Sequence, residues 1–268
     1  MSKLNISKVI SKYSKGTIRM TFKNKTILIT GTSTGIGRAV GVKLLNENCN
    51  LVLTARRKEK IEDWVSSFEN RKAEVLILKN DVTDKNDVAE SYQRAIDKFG
   101  SIDIAILNSG IGKSITPETF NSKAAEDIMN TNFLGVIYWI EQLLPDMIKI
   151  KSGIIAPVSS LADNRGYSGS GFYSASKSAL SIFAEGLSID LKKYGIKVLT
   201  IKPGFVKTQL TDKNKFKMPF VMSEEKSANY IISGIEKEKA IIQFPFPTVL
   251  GAKIIGLLPN WFYRLIAK

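Results

Sequence analysis

Tyr173 and Lys177 stand four residues apart, the spacing that brings two side chains onto one face of a helix. A phenol beside an ammonium is a proton donor whose pKa a neighbour can lower. Other donors are few. The chain has no histidine, which removes imidazole acid–base chemistry, Ser-His hydrolysis and the commonest metal ligand. Proton transfer is left to Tyr, Lys, Asp, Glu or the single cysteine, Cys49. Ionising a tyrosine about three units below its free pKa of about 10 needs about 4 kcal/mol of differential stabilisation. One ammonium at ~4 Å in a medium of effective dielectric about 20 supplies that.

A second group of residues lies near the start of the chain. Gly31-Thr32-Ser33-Thr34-Gly35-Ile36-Gly37 follows an apolar β-branched run and precedes an apolar helical stretch. Strand, glycine turn and helix aim a helix N-terminus at a phosphate, and the glycines allow close approach of a dinucleotide. The same residues also describe an ordinary glycine-rich loop. At the tip of the next strand, where an acidic residue would bind the 2′-hydroxyl of NAD, stand Ala55, Arg56 and Arg57, with Arg38 nearby. Two arginines without an acid fit a 2′-phosphate and so NADP(H); alternatively they begin a solvated helix.

The elements that must position these groups follow from a regular rhythm. From residue 26 short β-branched runs alternate with longer amphipathic stretches, which predicts βαβ units and a parallel sheet. Seven strands are expected, at 26–30, 50–55, 73–79, 102–107, 153–159, 196–201 and 240–244, giving one doubly wound Rossmann-type α/β domain over 22–244. Pro157 cannot donate a ladder hydrogen bond, so an irregularity is expected there. A basic extension (1–21) and an apolar tail (245–268) fall outside.

The glycine pattern, taken with Tyr173-Ser174-Ala175-Ser176-Lys177, resembles the short-chain dehydrogenase/reductase family. The ordered set between them carries the likeness: Asn80-Asp81-Val82-Thr83 after the third strand, Asn108-Ser109-Gly110 after the fourth, Asn132, Ser160, and Pro203-Gly204-Phe205-Val206-Lys207-Thr208. The resemblance runs from about Thr26 to Phe244. It implies a hydride transfer between NADP(H) and a carbonyl or alcohol, with Tyr173 as proton donor, Lys177 on the nicotinamide ribose, Ser160 on the substrate oxygen and Asn132 anchoring a water. It also implies that Asp81 and Val82 lie at the adenine, and that Pro203, Gly204, Val206 and Thr208 close over nicotinamide. Alone, Ser160 also reads as a turn cap and Asn132 as a buried asparagine satisfying backbone. Ser109-Gly110 departs from the family's usual Asn-Ala-Gly.

Phe216, Met218, Phe220 and Met222 are adaptable apolar side chains that would line a pocket for a lipophilic substrate or pack under a short helix. A homodimer or homotetramer is the expected assembly.

Charge and composition bound the rest. The net charge is +14, yet nine basic residues precede the first acid, Glu47, and four follow the last, Glu238. Basic ends on a near-neutral middle point away from nucleic acid. No apolar run approaches the roughly 18 residues of a membrane span, one cysteine argues for no oxidising compartment, and a cytoplasmic enzyme is expected. Two stripes qualify that. Ile6, Val9, Ile10 and Tyr13 lie among lysines, and Leu250, Ile254, Leu257, Leu258, Trp261, Phe262 and Leu265 accompany Lys253, Arg264 and Lys268. Both fit peripheral contact with an anionic membrane. The alternatives are a true start at Met20 and a tail that covers a subunit interface or the pocket.

Overall fold

The strands of this chain are almost unbroken apolar runs, the pattern of a parallel sheet with helices on both faces. The computed structural model describes residues 20–212 and 218–267; the N-terminal stripe and Phe216 lie outside them. In chain order the elements are β1 (Thr26–Thr30), α1 (Gly35–Leu44), β2 (Asn50–Ala55), α2 (Lys58–Ser66), β3 (Glu74–Lys79), α3 (Lys85–Phe99), β4 (Ile104–Leu107), α4 (Ser122–Met129), a π-helical segment (Asn130–Leu134) running into α5 (Gly135–Ile150), β5 (Gly153–Pro157), α6 (Gly171–Leu191), β6 (Ile196–Val198), β7 (Thr200–Pro203), α7 (Glu224–Glu236), β8 (Ile241–Phe244), α8 (Phe246–Leu257) and α9 (Asn260–Ile266).

Six strands form a parallel sheet in the order β3-β2-β1-β4-β5-β6, with Ile27 opposite Leu51 and Ile104. Alternation along β1 assigns its side chains to two cores. Ile27 and Ile29 pack with Leu44 of α1, Trp64 of α2 and Ile231 of α7. Leu28 packs on the other face with Val88 of α3, Trp139 of α5 and Leu180 of α6.

The expected seventh strand is displaced. The stretch 196–201 breaks at Leu199: β6 stays on β5, while β7 pairs with β8 in a separate two-stranded sheet. Pro157 explains the break. On this side of β5 ladder bonds recur every second residue, as where the Ser159 amide donates to the Ile201 carbonyl at 2.7 Å. The bond before it would run from residue 157 to the Leu199 carbonyl, and proline has no N–H to give. A bridge between Val158 and Ile201 resumes the pairing beyond it.

At the C-terminus α8 and α9 follow one another against the segment between β5 and α6. Asn164 and Arg165 of that segment donate to the carbonyls of Ala252, Ile255, Gly256 and Leu258.

Candidate functional site

The C-terminal ends of β1, β2, β4 and β5 open on one cleft of about 620 Å3, at the edge where doubly wound sheets bind ligands. At its floor is the turn from β1 into α1. Gly31 and Gly35 have φ of +71° and +69°, left-handed values that favour glycine. A Cβ on Gly37 would lie 2.5 Å from Asn108 Nδ2 and from the Gly31 carbonyl, so close packing of α1 on the strand requires a bare backbone there. Thr34, which precedes α1, makes no side-chain cap, and the first N–H groups of the helix are free to meet an anion.

Other predicted residues of this turn divide by direction. Ser33, Thr34 and Ile36 line the cleft. Thr32 is buried, its hydroxyl donating to the Thr54 carbonyl at 3.2 Å and its own carbonyl accepting from Trp64 Nε1 at 3.1 Å. It holds the turn and faces away from the cleft. Arg57 reaches over to donate to Ser33 Oγ at 3.1 Å, and Arg56 stands beside it, exposed, on the cleft wall. Both arginines therefore belong to the same lip of the cleft as the glycine turn.

Along the next wall Asp81 orders its own loop, accepting from Thr83 N and Oγ1 at 3.0 and 2.8 Å, and Val82 packs beneath it against Gly135. Asn108 is a tie between strands: its amide donates to the carbonyls of Thr30 and Gly31 at 3.0 and 3.2 Å. The backbone N–H groups of Asn108 and Ser109 both donate to Thr30 Oγ1. Thr30 thus anchors the start of the Ser109-Gly110 loop. A Cβ on Gly110 would stand 3.4 Å from Asn132 Oδ1 and 3.5 Å from Lys177 Nζ.

Asn132 is buried in the π-helical segment. Its Oδ1 accepts from Ile111 N at 2.8 Å, and its Nδ2 donates to Ile111 O at 2.9 Å and Ser176 Oγ at 3.0 Å. The side chain is committed to tying the loop after β4 to α6, so the backbone-satisfying reading describes its contacts. Water would have to be held by main-chain carbonyls that the π-helical turn releases.

Ser160, Tyr173 and Lys177 converge at the far end of the cleft. Ser160 Oγ accepts from Ala162 N at 3.1 Å, capping the next turn, and also hydrogen-bonds the Tyr173 phenol. Lys177 is buried, lies 5.8 Å from the centre of the Tyr173 ring and donates to the Val158 carbonyl at 2.7 Å. Burial lowers its ammonium from 10.5 to about 8. Burial also raises the phenol, the Ser160 hydrogen bond opposes that rise, and the Asp163 carboxylate adds to it. The direction is opposite to the expected lowering of Tyr173 by Lys177. The ammonium is engaged with the Val158 carbonyl, and desolvation dominates the phenol.

Pro203, Gly204, Val206 and Thr208 border the same end. Gly204 N donates to Phe244 O at 2.7 Å, and Val206 bridges Met222. Met222 is thereby drawn into the core, while Phe220 is exposed; neither lines the cleft. Leu210 instead lines the cleft, and a Cβ on Gly112 would stand 3.2 Å from its Cδ1 and 3.4 Å from Cδ2 of the Tyr173 ring.

Sequence reasoning also missed Asp163 and Lys202, a nearly buried ion pair at 2.7 Å. Ser181 Oγ lies 2.5 Å from Asp163 Oδ2 and 2.8 Å from Ser159 Oγ, and Ser159 Oγ donates to the Lys177 carbonyl at 2.9 Å. The pair thus braces the helix that carries Tyr173 and Lys177. The charges stand on separate elements 39 positions apart, as 202 less 163, and no local spacing announces them.

The short chain dehydrogenase family model matches residues 25–218. An uncharacterised oxidoreductase of Myxococcus xanthus is 32% identical over 245 residues, 91% of this chain and 96% of the relative. A short chain dehydrogenase/reductase of Burkholderia phymatum, solved in complex with NAD, superposes with a TM-score of 0.80 at 20% identity, covering 93% of this chain and 97% of that one. An alcohol dehydrogenase of Thermococcus sibiricus, solved with 5-hydroxy-NADP, gives 0.75 at 21% identity over 83% and 95% of the two chains.

Proposed function

The chain belongs to the short-chain dehydrogenase family and is an oxidoreductase, and from that premise we propose that it uses NADP(H) to interconvert a carbonyl and an alcohol on a small lipophilic substrate. The observation that carries this reading is one cleft with a phosphate-type turn and two arginines at one end and Ser160, Tyr173 and Lys177 at the other. The residues fit the cofactor. The α1 N-terminus and the Gly31–Gly37 turn would take the pyrophosphate, Arg56 and Arg57 the 2′-phosphate, and Asp81 and Val82 would flank the adenine. Asn108, Ser109 and Gly110 back the ribose side, and Pro203, Gly204, Val206 and Thr208 border the nicotinamide end. When bound, the cofactor supplies or accepts the hydride at nicotinamide C4.

The chain's own residues would do the rest. Ser160 orients the substrate oxygen. Tyr173 Oη gives that oxygen a proton in reduction and removes it in oxidation. Lys177 holds the ribose and favours the phenolate once a proton leaves, and Leu210 and Ile111 keep water from the reacting carbon. Asn132 keeps the loop and α6 in register.

The test is oxidation of NADPH and NADH against a panel of lipophilic aldehydes and ketones. Tyr173→Phe is expected to abolish turnover and to leave NADPH binding within several-fold, since the hydroxyl acts chiefly in the transition state. Retention of more than about a tenth of the rate would refute this proton donor. Tight NADPH binding with no turnover on any substrate would favour a regulatory or scaffold role. For assembly, α6 exposes Ile182 and Ile189, a face suited to a second copy in a homodimer or homotetramer.

A further inference from the structure

Among the described residues, none of the helices is long and apolar enough to cross a membrane, yet α8 turns its apolar side to water. Phe246, Leu250, Ile254 and Leu257 recur at steps of four, four and three, which places them on one helix face. All are exposed, Phe246 by 75% and Leu257 by 86%. On α9 Trp261 and Leu265, four apart, are exposed as well, Trp261 by 68%. A surface helix of a globular enzyme buries such a stripe against its core.

Polar contacts hold the two helices in place. Arg165 satisfies the last carbonyls of α8 and reaches Asn260 Oδ1 at 2.6 Å. Its guanidinium also lies over the Tyr263 ring, 5.0 Å from the centroid. Tyr263 in turn donates to the Gly166 carbonyl at 2.7 Å. These polar contacts, together with the buried Val249, hold the two helices on the domain, and the exposed apolar side chains take no part in them.

We propose that the exposed apolar side chains of α8 and α9 dock on an anionic lipid surface. Charge selects this occupant over a second copy. Neither α8 nor α9 carries a carboxylate side chain, whereas Lys253 and Arg264 are both exposed on them. Two such faces would repel each other, while acidic headgroups complement them. Large apolar side chains with flanking cations are the combination that enters a headgroup layer. Position gives the contact its use. Arg165 belongs to the segment between Ser160 and Tyr173, and Thr248, on the opposite side of α8 from the exposed stripe, packs on Gly204 beside the cleft, so the lipid contact would be made by a helix that also braces the border of the cleft. The inference stands whichever carbonyl the enzyme reduces.

The test mixes the full chain with vesicles of phosphatidylglycerol and phosphatidylcholine, or of phosphatidylcholine alone, and follows both sedimentation and tryptophan fluorescence. Trp64 and Trp139 are buried, so a lipid-induced change reports on Trp261. Co-sedimentation with the anionic vesicles at low salt is expected, with quenching of Trp261 by brominated lipid. The double variant L257S/W261S should bind vesicles at least about tenfold more weakly, because two large side chains are removed from the buried face, and should keep its turnover of a water-soluble substrate. No sedimentation with anionic vesicles at low salt overturns the proposal. So does sedimentation of the double variant equal to that of the parent, or a solution dimer that these substitutions dissociate while vesicles go unbound.

Discussion

A buried ammonium with a single carbonyl partner leaves a signature in stability as well as in catalysis. Lys177 has a folded pKa of about 8 against 10.5 unfolded. Below pH 8 the lysine is charged in both states and the folded state bears the full desolvation penalty, of order 3 kcal/mol for about 2.5 units. Between about 8 and 10.5 the unfolded chain binds more protons than the folded one, so stability rises with pH through that window and is level above it. Denaturant titrations of the parent and Lys177→Met across pH 7 to 11 should show the parent gaining on the variant by up to about 3 kcal/mol; a constant gap would contradict the buried ammonium. Asp163 and Lys202 give a second expectation. Removing Lys202 leaves a nearly buried carboxylate unpaired, which costs roughly 3 kcal/mol. Because Asp163 already raises the Tyr173 phenol, Lys202→Met should also move the pH-dependent rise of alcohol oxidation to higher pH. The double variant Asp163→Asn/Lys202→Met should recover most of both losses, and failure to recover the pH profile would mean that the carboxylate does not act on Tyr173.

Elements were legible in the sequence to the extent that one segment carries its own periodicity. The strand and helix alternation is visible because β1, β2 and β4 are buried on both faces and read as apolar runs. Tyr173 and Lys177 are visible because four residues is one helical turn. What depends on a neighbouring element is not. The run 196–201 has the composition of one strand, and only the missing N–H of Pro157 across the ladder divides it. The π-helical segment likewise carries Asn132, whose side chain satisfies Ile111 on a separate loop. Met222, which its neighbours in sequence leave open between lining a pocket and packing under a helix, is claimed by the core through its pairing with Val206. Two glycines show the same contrast between local and tertiary demands. Gly251 of α8 has nothing within 4 Å of a Cβ placed on it, so Gly251→Ala should stabilise by about 0.5–1 kcal/mol through helix propensity. Gly37 has two neighbours at 2.5 Å. Gly37→Ala must push α1 from the turn and should cost about 2 kcal/mol, with NADPH affinity falling at least about tenfold. Thermal unfolding of both variants checks the pair, and equal effects would contradict the packing described for α1.

At the scale of the whole molecule, a cofactor that binds only the folded chain adds its binding free energy to folding. That makes nucleotide choice readable without any substrate. The net charge of +14 draws any nucleotide, but much of the surplus sits at the two ends of the chain, away in sequence from Arg56 and Arg57. Diffuse attraction therefore raises both NADPH and NADH binding, whereas the two arginines act on the 2′-phosphate that only NADPH carries. A tenfold preference for NADPH is about 1.4 kcal/mol, which for a domain of this size raises the melting temperature by roughly 3 °C or more beyond the shift given by NADH at the same saturating excess. Both arginines are exposed, so the difference should shrink as salt rises from low to physiological strength, where screening acts within about 8 Å. Arg56→Ala/Arg57→Ala should bring the two shifts together by lowering the NADPH value and leaving the NADH value nearly unchanged. Equal shifts for the two nucleotides in the parent chain would remove the arginines from cofactor selection. A fall in both shifts on substitution would show that they serve the fold of the β2 tip, through the Arg57–Ser33 contact, more than they serve the phosphate.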